Sequence, residues 1–299
     1  MRILISGTHG FIGSSCYEYL KRQGHDVARL VRSKKELHFQ NAVYWNPVNG
    51  EVQKEDFEDF DAVIHFSGKN ILDGRWTKKR KQEIFLSRCR DTWLLSEVLL
   101  RLHRPPKTFI TASAVGFYGD RGDESLIETS PQGKGFLADT CAKWESATNA
   151  IASRGVRVVS MRLGAVLSRQ GGMLKKMLPL YRCGLGSVLG SGKQYISFIA
   201  LKDLLKIIRH ILAEETLEGP VNVTAPFPVM QREFSQILAK HLKKKIWLRI
   251  PAPFLRALTG EIADELLLAS QKVYPAKLLK SGYAFSCPTL EMCLLSESL

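Results

Sequence analysis

The chain opens MRILISGTHGFIGSSCYEYL, and no other stretch restricts its folding as tightly. An apolar run over residues 2–6 leads directly into Gly7-x-x-Gly10-x-x-Gly13, after which apolar residues recur at helical spacing. Each glycine has a separate task in such a turn. Gly7 permits a tight exit from the strand, Gly10 lets backbone approach a pyrophosphate, and Gly13 allows helix and strand to pack closely, with phosphates at the positive helix N-terminus. Three glycines alone carry little, but their place after the first strand of a βαβ unit predicts a dinucleotide-binding turn.

The following residues extend that unit. Candidate strands at 26–31, 61–67, 107–112 and 156–161, with a short one at 42–45, alternate with helical patterns over 12–23, 77–102 and 135–153. Thr77 is a good N-cap for the long helix. The alternation predicts an α/β chain with a Rossmann-type doubly wound parallel sheet. The loop at 119–135 is long enough to carry function. Beyond residue 163 the pattern changes to glycine-rich segments (184–193) between helices at 201–214 and 230–242, with one strand-like run at 221–226. The expected division is a dinucleotide-binding domain at 1–163, to which strand 221–226 returns, and a smaller C-terminal α+β lobe at 164–299. A cleft is expected at the junction.

With 299 residues, 45% hydrophobic and 24% charged, the chain can bury a real core. It has no apolar run of the roughly 20 residues needed to span a bilayer, and residues 1–13 lack the charged, apolar and cleavage regions of a secretory signal. A cytoplasmic protein without a membrane partner is expected. Six cysteines without C-x-x-C spacing and seven histidines without ligand spacing predict neither disulfides nor a metal site. The net charge of +14 favours anionic partners without naming one. The densest basic runs, 75–81 and 243–245, belong to no recognisable nucleic-acid module, and the expectation is solvated faces and no nucleic-acid partner.

Nineteen residues past Gly13, where a carboxylate would bond the ribose of NAD, the chain reads Arg32-Ser33-Lys34-Lys35. Arg32 and Ser33 suit a 2′-phosphate, which points to NADP (NADPH); the competing reading is of basic residues exposed in a loop.

The glycine spacing, His65-Phe66-Ser67-Gly68 and Thr111-Ala112-Ser113-Ala114-Val115-Gly116-Phe117-Tyr118-Gly119 resemble the extended short-chain dehydrogenase/reductases of nucleotide-sugar epimerase type. More specific segments are Lys69-Asn70-Ile71, Arg75-Trp76-Thr77, Gln82-Glu83-Ile84-x-x-Ser87-Arg88, Lys143-Trp144-Glu145, Gly171-Gly172, Gly190-x-Gly192-x-Gln194 and Ser270-Gln271-Lys272-Val273-x-Pro275. These resemble an atypical branch, the "epimerase family" proteins of bacteria and mitochondria, over nearly the whole chain. The resemblance implies that Phe11 and Ile12 line the turn and that Phe66, Ser67 and Gly68 run beside the cofactor. It places Arg88 where relatives have asparagine, facing a cofactor phosphate or ribose. Glu83 could orient it, unless the two form an ordinary surface pair. Residues 162–166, including Leu163 and Val166, fall where relatives hold the nicotinamide amide.

Reductases of this type use a Tyr-x-x-x-Lys pair on one helix face, where the lysine lowers the tyrosine pKa. Here Lys143 matches the lysine and Ser113 the substrate-holding hydroxyl, but the tyrosine position is Asp139. Three readings stand open: Asp139 is the base; Tyr118 supplies the phenol from the loop after Ser113; or the protein binds or senses NADP(H) without turnover. Lys143 as a ribose ligand fits all three. Phe198 and Ala200 replace a tryptophan and a histidine of the branch pattern. The expected substrate is a small anionic or hydroxylated molecule, on which the chain acts as an oxidoreductase or epimerase.

Overall fold

The computed structural model describes residues 1–39, 41–66 and 68–297. Eight strands form the central sheet: β1 (Arg2–Ser6), β2 (Asp26–Val31), β3 (Ala42–Asn46), β4 (Glu51–Val52), β5 (Ala62–His65), β6 (Thr108–Ala114), β7 (Arg157–Leu163) and β8 (Gly219–Val223). Their order is β8-β7-β6-β5-β1-β2-β3-β4, parallel except for the β3–β4 edge pair. A parallel sheet covered on both faces requires strands apolar on both sides, which is why these segments read as continuous apolar runs. Side chains alternate across the sheet. Ile3, Ile5, Ile64 and Ile110 enter one core with helices α1 (Phe11–Arg22) and, further along, Leu201–Ala213; Leu4, Val63 and Phe109 enter the other.

The helix expected over 77–102 is two helices, α2 (Lys78–Leu86) and α3 (Cys89–Leu100). The one expected over 135–153 is likewise α4 (Phe136–Ser146) and α5 (Asn149–Ser153). Both breaks have one cause. Ser87 Oγ donates to the Ile84 carbonyl at 2.9 Å and Thr148 Oγ1 to the Glu145 carbonyl at 2.8 Å, so a side chain takes up a carbonyl of the preceding turn. Ser87 also accepts the Lys69 N–H at 3.0 Å, which ties the α2–α3 junction to the loop after β5.

Past β7 the chain forms α6 (Gly172–Arg182), α7 (Leu201–Ala213), α8 (Gln231–His241) and α9 (Ala252–Thr259), with short strand pairs between them. Residues 187–189 pair with 248–250, and 165–167 with 198–200. A third core forms here around Leu174, Leu178, Phe198, Phe234 and Leu294. The strand expected at 221–226 is β8, and it lies beside β7. Among the described residues no helix is long and apolar enough to cross a membrane, and no group of three or more His, Cys, Asp or Glu side chains could hold a metal.

His65, closing β5, is fully buried with Nδ1 2.7 Å from Ser6 Oγ. Burial, helped by the charge of Arg32, holds its pKa down at about 3. An unfolded histidine titrates near 6.5, so below that pH the unfolded chain takes up a proton that the native ring refuses. Stability should therefore fall as pH drops from about 6.5 toward 3, with this ring contributing up to about 1.4 kcal/mol per pH unit. Urea midpoints of His65→Gln should decline less steeply across this window than those of the parent; parallel declines would remove His65 as a cause.

Candidate functional site

The glycine turn closes on itself at the C-terminal ends of β1 and β5, where the strand order reverses. Gly7 has φ +72°, and the Gly10 N–H donates to the Gly7 carbonyl at 2.9 Å. A Cβ on Gly13 would lie 2.2 Å from the Gly7 oxygen, so no other residue lets α1 start so close to β1. Gly10, the N-cap of α1, has no side-chain cap, which leaves the first helical N–H groups to a ligand. Thr8 Oγ1 is buried in the same turn and has no partner among the described residues. An orphaned hydroxyl beside an uncapped helix N-terminus and a cradle that a Cβ would fill suits a pyrophosphate.

Phe11 fills a different role from lining alone. Its ring packs against the tight hairpin at Gly171 and Gly172, where a Cβ on Gly171 would fall 2.4 Å from the ring, and this contact explains that glycine pair. Ile12, Phe66 and Leu163 pack against the core beneath the turn, and the Phe66 backbone abuts Gly7. The Val166 side chain is buried in the same core, which leaves only its backbone for a ligand. Ser67 lies outside the described residues. Arg88 covers Gly68, where a Cβ would meet the guanidinium carbon at 3.3 Å, and donates to the Lys69 carbonyl at 2.9 Å. Glu83 does not orient it: the Glu83 carboxylate accepts from Lys69 Nζ at 3.0 Å and Arg80 Nη1 at 3.1 Å, because these cations stand on its own helix face and in the loop opposite.

Arg32, just past β2, donates to Asp91 Oδ2 at 3.0 Å and keeps about half of its side chain exposed at 48%. Asp91 is buried in the first turn of α3 and also binds Arg90 at 2.9 Å. Two guanidinium groups on one carboxylate leave one positive charge in excess. Ser33 accepts the Lys35 N–H at 3.3 Å and so caps a short helical turn, Lys34–His38. That turn carries Glu36, whose carboxylate pairs with His9 Nε2 at 2.9 Å. Asp91 was not among the residues expected from the sequence, although it stands three residues past Arg88.

Ser113, buried near the end of β6, donates to Glu145 Oε1 at 2.7 Å. Arg162 grips the same carboxylate with both ends of its guanidinium at 2.8 Å and stacks over Phe117 at 3.5 Å from the ring centre. Tyr118, expected to face a substrate, is fully buried. Its hydroxyl lies 2.7 Å from Asn222 Oδ1 and 3.0 Å from the Ile127 carbonyl, and it accepts from Arg162 Nη1 at 2.9 Å. Burial raises its pKa against the nearby Arg162 charge. A phenol so enclosed ties the 113–119 loop to β7 and β8. Only Ala114 separates Ser113 from Val115–Tyr118, whose helical turn points the ring back into the protein.

α4 is aimed by a distant cap. Gly135, at φ +113°, offers no side chain, and Glu265 instead accepts the N–H groups of Phe136 and Leu137 at 2.9 and 3.0 Å. On this helix Asp139 is exposed and accepts from Gln132 Nε2 at 2.9 Å, and it makes no ion pair with Lys143 among the described residues. Lys143 is exposed and unpartnered among them. Burial pushes the Cys89 thiol up to about 12 against the opposing charges of Arg88 and Lys143, so both cations lie near it. A cavity of about 420 Å³ opens nearby, lined by Gly116, Lys134, Gln194, Arg256, Asp264 and Glu265 among others. Phe198 and Ala200 are fully buried and do not line it. Trp76 donates its indole N–H to the Ile71 carbonyl at 2.8 Å and packs edge-on against Phe136, a packing role.

A family model described as the NAD dependent epimerase/dehydratase family matches residues 3–224, and one described as a domain of unknown function (DUF1731) matches 250–296. Epimerase family protein Mb2239 of Mycobacterium bovis is 39% identical over 292 residues, covering 96% of this chain and 94% of its own. The crystal structure of human epimerase family protein SDR39U1 (isoform 2) with NADPH superposes with a TM-score of 0.91 at 30% identity, covering 100% of this chain and 99% of that one. The nucleoside-diphosphate sugar epimerase of Corynebacterium glutamicum gives 0.81 at 32% identity, covering 99% of this chain and 58% of that one. Together with the glycine turn and the sheet order, these matches establish that the chain belongs to the NAD dependent epimerase/dehydratase family.

Proposed function

We infer that the protein binds NADP and acts as a short-chain oxidoreductase or epimerase on a small hydroxylated molecule held in the 420 Å³ cavity. One observation carries the cofactor reading: Arg32 is anchored by a buried carboxylate while about half of its side chain stays exposed, at the same sheet edge as an uncapped helix N-terminus. Such an arginine binds a 2′-phosphate by charge-assisted bonds, whereas NAD offers it no anion. The likeness to a relative crystallised with NADPH supports the same choice. Gly7, Gly10, Gly13 and Thr8 would hold the pyrophosphate, Ser33 would share the 2′-phosphate, and Lys143 would bind ribose hydroxyls. NADP, when bound, supplies hydride exchange.

On the protein's side, Ser113, buried at the end of β6, directs its proton at Glu145, which leaves its oxygen only as an acceptor. That arrangement suits acceptance of a hydrogen bond from a substrate hydroxyl. A second reading, NADP(H) binding without turnover, is favoured by Asp139 at the tyrosine position and by the enclosure of Tyr118.

Calorimetry should show Arg32→Ala weakening NADPH binding by at least about tenfold, as expected for a lost bond to a charged group, with NADH binding little changed. Equal losses for the two dinucleotides would sink the 2′-phosphate role. For turnover, NADPH oxidation is followed with a panel of carbonyl compounds and nucleotide sugars. Ser113→Ala should lower any rate found by about 10²-fold or more, on the scale of a lost acid–base or positioning group, while Tyr118→Phe should keep it and lose about 1–3 kcal/mol of stability. Dinucleotide binding with no turnover anywhere in the panel, and none gained in Asp139→Tyr, selects the second reading.

A further inference from the structure

A second cavity, of about 660 Å³, lies between the outer face of α8 and the segment that follows it. It shares only Ser191 with the lining of the cleft described above. Its construction begins with the sequence HLKKKIWLR. Lys243 adopts φ +56° and ends α8, with its own N–H on the Lys240 carbonyl at 3.0 Å and that of Lys244 on the Ala239 carbonyl at 2.8 Å. The chain then turns, and residues 248–250 pair with 187–189. Arg232, Gln236 and Lys240 stand four residues apart on one face of α8 and so line one wall. Lys244, Lys245 and Arg249 line the other, with Trp247.

Five of the twelve lining residues are cationic and none is a carboxylate. None of the five has an ion-pair partner among the described residues. Helix-end electrostatics does not account for them, since the C-terminus of a helix offers only about half a negative charge. Arg249 is pinned by its Nε bond to the Gly190 carbonyl at 2.9 Å, which leaves its terminal nitrogens to a ligand. Trp247 is 77% exposed, an indole left largely in water beside this charge, with Lys245 5.6 Å from its ring centre. Unneutralised cations in a concavity favour a compact polyanion, and guanidinium groups match phosphate geometry. An exposed indole adds a stacking surface for a planar base. The volume falls in the range of small-ligand sites.

We propose that this cavity is a second nucleotide site, separate from the dinucleotide turn, that takes a free nucleoside polyphosphate with its phosphates on Arg232, Lys240, Lys244 and Arg249 and its base on Trp247. The site does not depend on the oxidoreductase reading. The test is calorimetric titration of ATP at low salt into the full chain saturated with NADPH, and into Arg32→Ala. Binding should survive in both and weaken with added salt. Lys244→Glu and Arg232→Glu should each weaken it by at least about tenfold while leaving NADPH affinity unchanged. Trp247→Ala should weaken ATP but not inorganic tripolyphosphate, since only the nucleotide can stack. No heat in either protein, or binding abolished by NADPH or by Arg32→Ala, overturns the proposal. Displacement of ATP by single-stranded RNA or by phosphatidylserine vesicles at lower concentration overturns it in favour of a macromolecular partner.

Discussion

The bidentate pair between Arg162 and Glu145, at 2.8 Å for both bonds, joins α4 to β7 and, through further bonds, to the 119–135 loop and the C-terminal segment. Arg162 stands on β7 and Glu145 on α4, while the same guanidinium reaches the Tyr118 hydroxyl and the Glu128 carbonyl. Tyr118 passes the connection to Asn222 on β8, and Glu128 accepts the Asn222 and Lys277 N–H groups at 3.1 Å. Sheet, α4, the 119–135 loop and the C-terminal segment thus hang on one buried charge pair. Loss of one partner would leave the other charge buried, which costs on the order of 3–5 kcal/mol.

The same pair explains the unusual chemistry of the cleft. In a Tyr-x-x-x-Lys site the serine is free to donate to a substrate oxygen and the phenol moves the proton. Here the serine's proton goes to Glu145, the loop phenol is consumed in supporting Arg162, and the motif position holds an exposed carboxylate. These departures are mutually consistent. A carboxylate two residues past the lysine recruits Ser113, a buried arginine balances that carboxylate, and the arginine needs further acceptors, which Tyr118 and Glu128 provide.

How legible this was in the chain varies with range. The glycine turn, the parallel sheet and the basic residue at the end of β2 follow from local pattern, because turn geometry, strand burial and phosphate charge each act within a few residues. Glu145 and Arg162 were not legible as a pair, since they are seventeen residues apart and meet only once α4 packs on the sheet. The direction of Tyr118 was not legible either, because nearness to Ser113 in sequence says nothing of it, and a short helical turn rotates the ring inward. Glu83 misled for the converse reason: a plausible helical spacing to Arg88 lost to two closer cations. The helix breaks at Ser87 and Thr148 were signalled by hydroxyl residues at mid-helix, a cue weaker than the apolar periodicity around it.

The chain's excess of 43 basic over 29 acidic residues is also distributed in a way that composition conceals. The 420 Å³ cleft is lined by two cations, Lys134 and Arg256, and three carboxylates, Asp120, Asp264 and Glu265. Arg256 is neutralised by Asp264 at 2.9 Å, Glu265 is occupied as the cap of α4, and Asp120 accepts the Ser270 N–H at 3.0 Å. A cleft so balanced gives an anionic substrate little net attraction and offers instead a dense set of hydrogen-bonding groups, which favours hydroxyls. Five cations without an ion-pair partner among the described residues stand in the other cavity. On the proposed reading, long-range attraction of anions acts at Arg32 and along α8, while the molecule in the 420 Å³ cavity is selected at short range.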